Sequence, residues 1–113
     1  MSTLSDFWYR EEKIGKLIKS TKIKYTWDFY IDGIFHRIEM LDSRLSSKKE
    51  ILVDGESIFK CEFVDNFTKY FDIKGHEFVI ILHGKKYELR IDGKAFNFLI
   101  NAENNKIFYK EED

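Results

Sequence analysis

Three copies of one phrase constrain this chain more than any other feature. They are Ile31-Asp32-Gly33, Val53-Asp54-Gly55 and Ile91-Asp92-Gly93, each set among Phe, Tyr, Ile and Lys. A two-residue hairpin loop needs positive φ at both central positions. Gly adopts it freely and Asp tolerates it. The phrase therefore predicts a chain that folds back on itself repeatedly as antiparallel β-structure. Nineteen aromatic residues (eleven Phe, six Tyr, two Trp) agree, because such side chains pack well on a pleated surface. No proline interrupts a strand ladder.

From Tyr25 the apolar residues recur every second position. With Asp32-Gly33 as the loop, Ile31 pairs with Ile34, Phe29 with His36, Trp27 with Ile38 and Tyr25 with Met40. The opposite face then sets Asp28 against Arg37, Thr26 against Glu39 and Tyr30 against Phe35. A slip of one residue would destroy this sorting. Lys48 to Val53 and Ser57 to Phe63 read as the next two strands. Pairing Val53 with Glu56 mixes their faces, so a bulge or a three-residue turn is expected there. In the last third, loops at Gly75-His76, His83-Gly84 and Asp92-Gly93 align Phe71 with Ile80, Ile73 with Phe78, Ile80 with Tyr87, Phe78 with Leu89, Leu89 with Phe96 and Tyr87 with Phe98. Val79 and Ile81 on the other face predict a strand covered on both sides. The expected core is Trp27, Phe29, Ile38, Phe71, Ile73, Phe78, Ile80, Leu89, Phe96 and Phe98.

The ends differ from the middle. Residues 1–24 carry six basic against three acidic residues and read as a basic amphipathic segment outside the sheets. Ser5 is a candidate N-cap, and Phe7, Ile14, Leu17 and Ile18 fall roughly on one helical stripe. Gly15 weakens a helix, so the segment is expected to be helical or extended. Its apolar residues Phe7, Trp8, Ile14, Leu17 and Ile18 are the candidate partner-binding residues; covering the chain's own sheet is the alternative use for them. After residue 101 the chain turns polar; residues 102–113 read as a polar tail whose acidic end, Glu111, Glu112 and Asp113, is expected to fray. The fold class expected is all-β: an antiparallel β-sandwich of about eight strands in meander order over residues 25–101, with closure into a barrel as the alternative.

A net charge of −1 argues against a general nucleic-acid binder, which needs a basic excess to displace counterions. No apolar run has the length of a membrane span. The single cysteine, Cys61, points to a reducing, cytoplasmic setting. His36, Cys61, His76 and His83 lack zinc-ligand spacing, and the three aspartates each stand alone at a turn rather than two apart as in a calcium loop. Cys61 reads as a small buried apolar residue. The sequence shows no phosphate loop, nucleophile elbow or carboxylate pair. No metal, no cofactor and no catalysis are expected.

The stretch Trp27-Asp28-Phe29-Tyr30-Ile31-Asp32-Gly33-Ile34-Phe35-His36-Arg37-Ile38-Glu39 resembles the opening of the Fas apoptotic inhibitory molecule family. Ser47 to Gly55 is similar to that family's basic run leading into Val-Asp-Gly. Phe71 to Ile81 and Tyr87 to Lys94 resemble its later hairpins. The order agrees from about residue 26 to 99, whereas residues 60–64 lack the Trp of the family pattern. The family carries two such modules in tandem, and this chain has the length of one. The resemblance implies a non-enzymatic β-sandwich that binds partner proteins and modulates cell-death signalling or shields those partners. It supplies no catalytic residues. The alternative is a small structural subunit docked into a larger assembly through its N-terminal segment.

Overall fold

The three Asp-Gly pairs all turn as their composition requires. Asp32, Asp54 and Asp92 have φ of 50°, 51° and 51°, and Gly33 and Gly93 reach 77° and 80°. In the computed structural model, which describes the backbone of residues 2–112 and the side chains of residues 2–104, these turns join strands of two antiparallel sheets. The first holds β1 (Leu4–Lys13), β2 (Lys22–Ile31), β3 (Ile34–Ser43), β4 (Lys48–Val53) and β5 (Glu56–Glu62) in chain order. The second holds β6 (Thr68–Ile73), β7 (His76–His83), β8 (Lys86–Ile91) and the two-residue β9 (Lys94–Ala95), also in chain order. A 3₁₀ turn, Lys19–Thr21, lies between β1 and β2, and helix α1 (Phe96–Glu112) follows β9.

The β2–β3 hairpin keeps every expected pair, from Ile31 with Ile34 to Tyr25 with Met40. Arg37 holds Asp28 with two donors, at 2.8 and 3.0 Å, across that hairpin. Between β4 and β5 the turn stays at two residues, with Val53 opposite Glu56, and the bulge falls one step inward, where Ile58 is the extra residue between Ser57 and Phe59.

In the second sheet two loops sit one residue away from their expected places, so two registers move by two. Lys74 takes a φ of 52° beside Gly75, which makes the loop Lys74-Gly75 and pairs Phe71 with Phe78. A lysine at positive φ is uncommon, which is why composition alone favoured Gly75-His76. The next loop is Gly84-Lys85, with Gly84 at 67° in its first position, and it pairs Ile80 with Leu89. A shift of two keeps each side chain on its face. The apolar sorting therefore survives both errors. Val79 is buried on the other face, as its pattern suggested, and Ile81 is half-buried.

Two larger expectations are overturned. The N-terminal segment, expected helical or extended and outside the sheets, holds a strand of the first sheet. β1 pairs with β2 along its length, from Leu4 opposite Ile31 to Lys13 opposite Ile23, so the segment lies inside the first sheet. The alternation Tyr9, Glu11, Lys13 matched neither helix nor amphipathic strand, and its place is decided by the ladder that β2 offers. At the other end, the strand expected to carry Phe96 and Phe98 stops at Ala95, and the expected tail 102–113 gives way to α1, up to Glu112. Phe96, Phe98 and Ile100 fit a strand period, but Phe96, Leu99, Ile100 and Glu103 fit a helical one. The helical period prevails because it buries Phe96 and packs Leu99 and Ile100 on the core, leaving Phe98 exposed.

One hydrophobic core joins the sheets. Phe29 of β2 meets Phe78 of β7 at 5.4 Å between ring centroids, and Tyr25 meets Tyr87 of β8 at 5.2 Å. Phe67, from the connection between the sheets, lies edge-on to Tyr87 and touches Phe59. Of the expected core, Trp27, Phe29, Ile38, Phe78, Ile80, Leu89 and Phe96 are buried, while Phe71 and Ile73 are half-buried. The α1 helix packs over β1, where Phe7 stands edge-on to Phe96 at 5.4 Å. There β1 bulges at Asp6, and the Glu103 carboxylate accepts hydrogen bonds from the Asp6 and Phe7 amides at 2.8 and 3.2 Å.

Candidate functional site

Each anchored turn does more than reverse the chain. The Asp54 carboxylate accepts from the Arg37 amide and from Nδ1 of His36, both at 2.8 Å, while the Asp54 amide donates to the Arg37 carbonyl. Asp92 repeats the arrangement with the Glu77 amide and His76 Nδ1, at 2.9 and 2.6 Å. Asp32 repeats its backbone half with Thr3. In every case the first turn residue ties its hairpin to the preceding segment beside it: β3, β7 or Thr3 just before β1. The aspartates do stand singly at turns, as their spacing indicates, but Asp54 and Asp92 also bind a histidine and a backbone amide of the neighbouring strand. The available signal was the strand order: once β3 neighbours β4, the loop after β4 must lie beside the start of β3.

The carboxylate in each couple is an acceptor, so Nδ1 carries the proton and Nε2 presents a lone pair in the neutral ring. Nε2 of both His36 and His76 is buried and meets no donor among the described residues. The His76 hydrogen bond, the Glu77 amide and Lys94 hold the Asp92 carboxyl below the usual carboxylate range, against a smaller opposing effect of desolvation. A lowered folded-state value gives stability that is complete above the unfolded value of about 3.9 and disappears as pH falls through the folded value. Asp92→Asn keeps a residue tolerant of positive φ but removes the charge. We expect it to lose about 1–2 kcal/mol at neutral pH. That difference should narrow at about pH 2, below the ordinary carboxylate range. Urea unfolding at the two pH values reads both.

The described residues form no group of three or more His, Cys, Asp or Glu able to hold a metal. Cys61 is half-buried, and burial pushes its thiol up despite the opposing effect of Lys49. An unactivated thiol of this kind is a poor nucleophile. Burial and the nearby Glu11 raise the Tyr9 hydroxyl, and burial raises that of Tyr87. An open groove of about 500 Å³ is lined by Lys22, Lys48, Lys49, Lys60, Glu50 and Glu62, among others.

The five candidate partner-binding residues do not form one stripe. Phe7 turns toward the core against Phe96. Trp8 lies on the sheet's outer side, 65 % exposed. Ile14 ends the β1 ladder, its amide donating to the Lys22 carbonyl at 2.8 Å. Leu17 and Ile18 stand at the tip of the β1–β2 connection, 100 % and 65 % exposed. Local chemistry explains that tip. The Gly15 amide donates to the Lys19 carbonyl, the Thr21 hydroxyl donates to the Ile18 carbonyl, and any side chain at position 15 would collide with both the Ile18 carbonyl and the Thr21 hydroxyl. The tight turn leaves Leu17 no surface of its own chain to cover, and the exposed Lys13, Lys16 and Lys19 surround it in sequence.

Compared with known proteins, the chain matches the family model of the Fas apoptotic inhibitory molecule (FAIM1) over residues 23–110. No curated protein and no solved structure gives a significant match. The matched span runs from the second residue of β2 into α1 and leaves out β1.

Proposed function

The chain belongs to the Fas apoptotic inhibitory molecule family, and from that premise we propose that it is a non-enzymatic protein-interaction domain that regulates cell-death signalling or shields its partner proteins. Its two sheets, facing one another across a shared core, are taken as the layers of a β-sandwich that presents this surface. The observation that carries the reading is the β1–β2 tip, where Leu17 is wholly exposed beside Ile18 on a hydrogen-bonded turn. A large apolar side chain held in water by a fixed backbone gains free energy when a partner covers it. The lysines around it select a partner whose apolar pocket has a carboxylate rim. The domain would act in the cytoplasm, where the single Cys61 stays reduced. No helix among the described residues is long and apolar enough to cross a membrane.

The test is affinity capture from the source cells with the wild-type chain and with a Leu17→Ser/Ile18→Ser variant, followed by mass spectrometry. Both substitutions lie on the surface, so circular dichroism should be unchanged. The expected result is loss of the proteins retained by the wild type. Retention of the same proteins by both would remove the tip from the interface. A partner retained in fixed ratio, and never found apart from the chain, would make the protein a subunit of an assembly.

A further inference from the structure

The sheets have four edges, and they are not equally protected. β1 is packed over by α1, and Glu103 occupies two of its amides. β9 is two residues long and runs directly into α1. β6 carries Lys69 pointing inward, with Nζ 4.5 Å over the Phe59 ring, a device that blunts an edge against strand addition. β5 has no strand paired along its outer edge among the described residues. The Phe63 amide donates to the Ser47 carbonyl, which fixes the phase of the β4–β5 ladder. Residues 59, 61 and 63 bond toward β4, so Lys60 and Glu62 direct their backbone N–H and C=O groups away from the sheet.

We propose that β5 pairs antiparallel with β5 of a second copy, about a two-fold axis at Cys61. This goes beyond the partner-binding role, because it uses a different edge. Outward-facing groups can meet in a symmetric pair only when the axis falls on a residue, and three axes near the middle of the free strand can be compared. An axis at Lys60 opposes that lysine to itself. An axis at Phe59 sets Glu56 against Glu62 and passes the pairing through the bulge at Ile58. An axis at Cys61 sets Lys60 against Glu62 in both halves, so opposite charges face each other at the two hydrogen-bonded pairs. The ladder stops there, because β5 ends at Glu62 and Phe63 takes a φ of 53°, but the apolar Ile58, Phe63 and Val64 flank it on both sides. Ile58, Val64 and Phe63 are 42 %, 39 % and 77 % exposed in the single chain. Lys60 itself is held only loosely, 3.8 Å from Glu50, and is 73 % exposed. Opposed charges and apolar pairs are the units that stabilise an antiparallel strand pair, and a two-fold interface must be complementary to itself. The contact is short, which makes the dimer weak and concentration-dependent.

Sedimentation equilibrium of the full chain, up to millimolar concentration, tests this. The wild type should dimerise reversibly. Lys60→Glu and Glu62→Lys should each weaken the dimer by roughly tenfold, as two attractive pairs become repulsive. An equimolar mixture of the two variants should dimerise again, because each reversed charge then faces its opposite. A short bis-maleimide should join Cys61 to Cys61 in the wild type and in the mixture, and far less in either variant alone. A wild type that stays monomeric overturns the proposal, including one that instead captures a different protein along β5. So does a dimer that both single variants leave intact, or a mixture of folded variants that fails to pair.

Discussion

Replacing Phe29 with Ala will cost about 3–5 kcal/mol of unfolding free energy, the range for deleting a buried aromatic ring. Phe29 is wholly buried and touches Phe78 of the second sheet, Phe96 of the helix and His36 of the neighbouring strand. Its ring therefore touches the second sheet, the helix and the neighbouring strand at once. The cavity left behind would be lined from both sheets, and neither can move inward without breaking a ladder. Urea unfolding at neutral pH measures the loss. Phe71→Ala is the internal comparison: that ring is half-buried and stacks on Phe78 at 5.6 Å, so its loss should be clearly smaller. Equal losses at the two positions would mean that Phe29 is not the centre of the shared core.

Removing residues 1–13 will have a still larger effect and should abolish cooperative unfolding. The deletion strips the ten-residue β1 from the edge of the first sheet. It takes away Tyr9, which lies against Trp27 at 5.7 Å, and Phe7, which lies against Phe96. Glu103 then loses both amides that it binds, and β2 becomes a long exposed edge of apolar residues. Such an edge favours aggregation. The expected readout is a broad, non-cooperative thermal transition with precipitation. A truncated chain that melts sharply at the wild-type temperature would show that β1 contributes nothing to this fold. The experiment has particular force because the family match begins at residue 23, after β1.

The middle of the chain was readable because each of its signals was redundant. The β2–β3 hairpin had a turn dipeptide, a two-residue period and a complementary Asp28–Arg37 pair, all agreeing on one register. Where only one signal existed, the reading was weaker. Lys74 at positive φ and Gly84 in the first loop position each moved a turn by one residue, yet the faces held because the registers moved by two. The ends were misread for a different reason. β1 mixes Tyr9, Glu11 and Lys13 on one side and takes its form from β2, a tertiary partner that no local window contains. Phe96 to Glu103 satisfies two periods at once, and only the presence of Phe7 and of the β1 bulge decides between them. The exposed tip suffered the same limit. Leu17 and Ile18 were singled out correctly as unusual, but grouping them with Phe7 required a helix that does not form. Glu103 could not be recognised at all, since its role depends on two amides of Asp6 and Phe7, at the far end of the chain.

The anchored turns also bear on how the polypeptide ages. Asp-Gly is the dipeptide most prone to spontaneous isomerisation, which begins when the glycine nitrogen attacks the aspartate side chain and closes a succinimide ring. This chain contains three such dipeptides, each at a point where a lengthened backbone would unseat a hairpin. In the folded protein, Asp54 and Asp92 have both carboxylate oxygens engaged by a neighbouring strand, and Asp32 has one. Ring closure at any of the three would have to break these hydrogen bonds. The contacts that fix the hairpins thus also act as a preservative, and chemical damage at these sites should accumulate in molecules that have spent time unfolded.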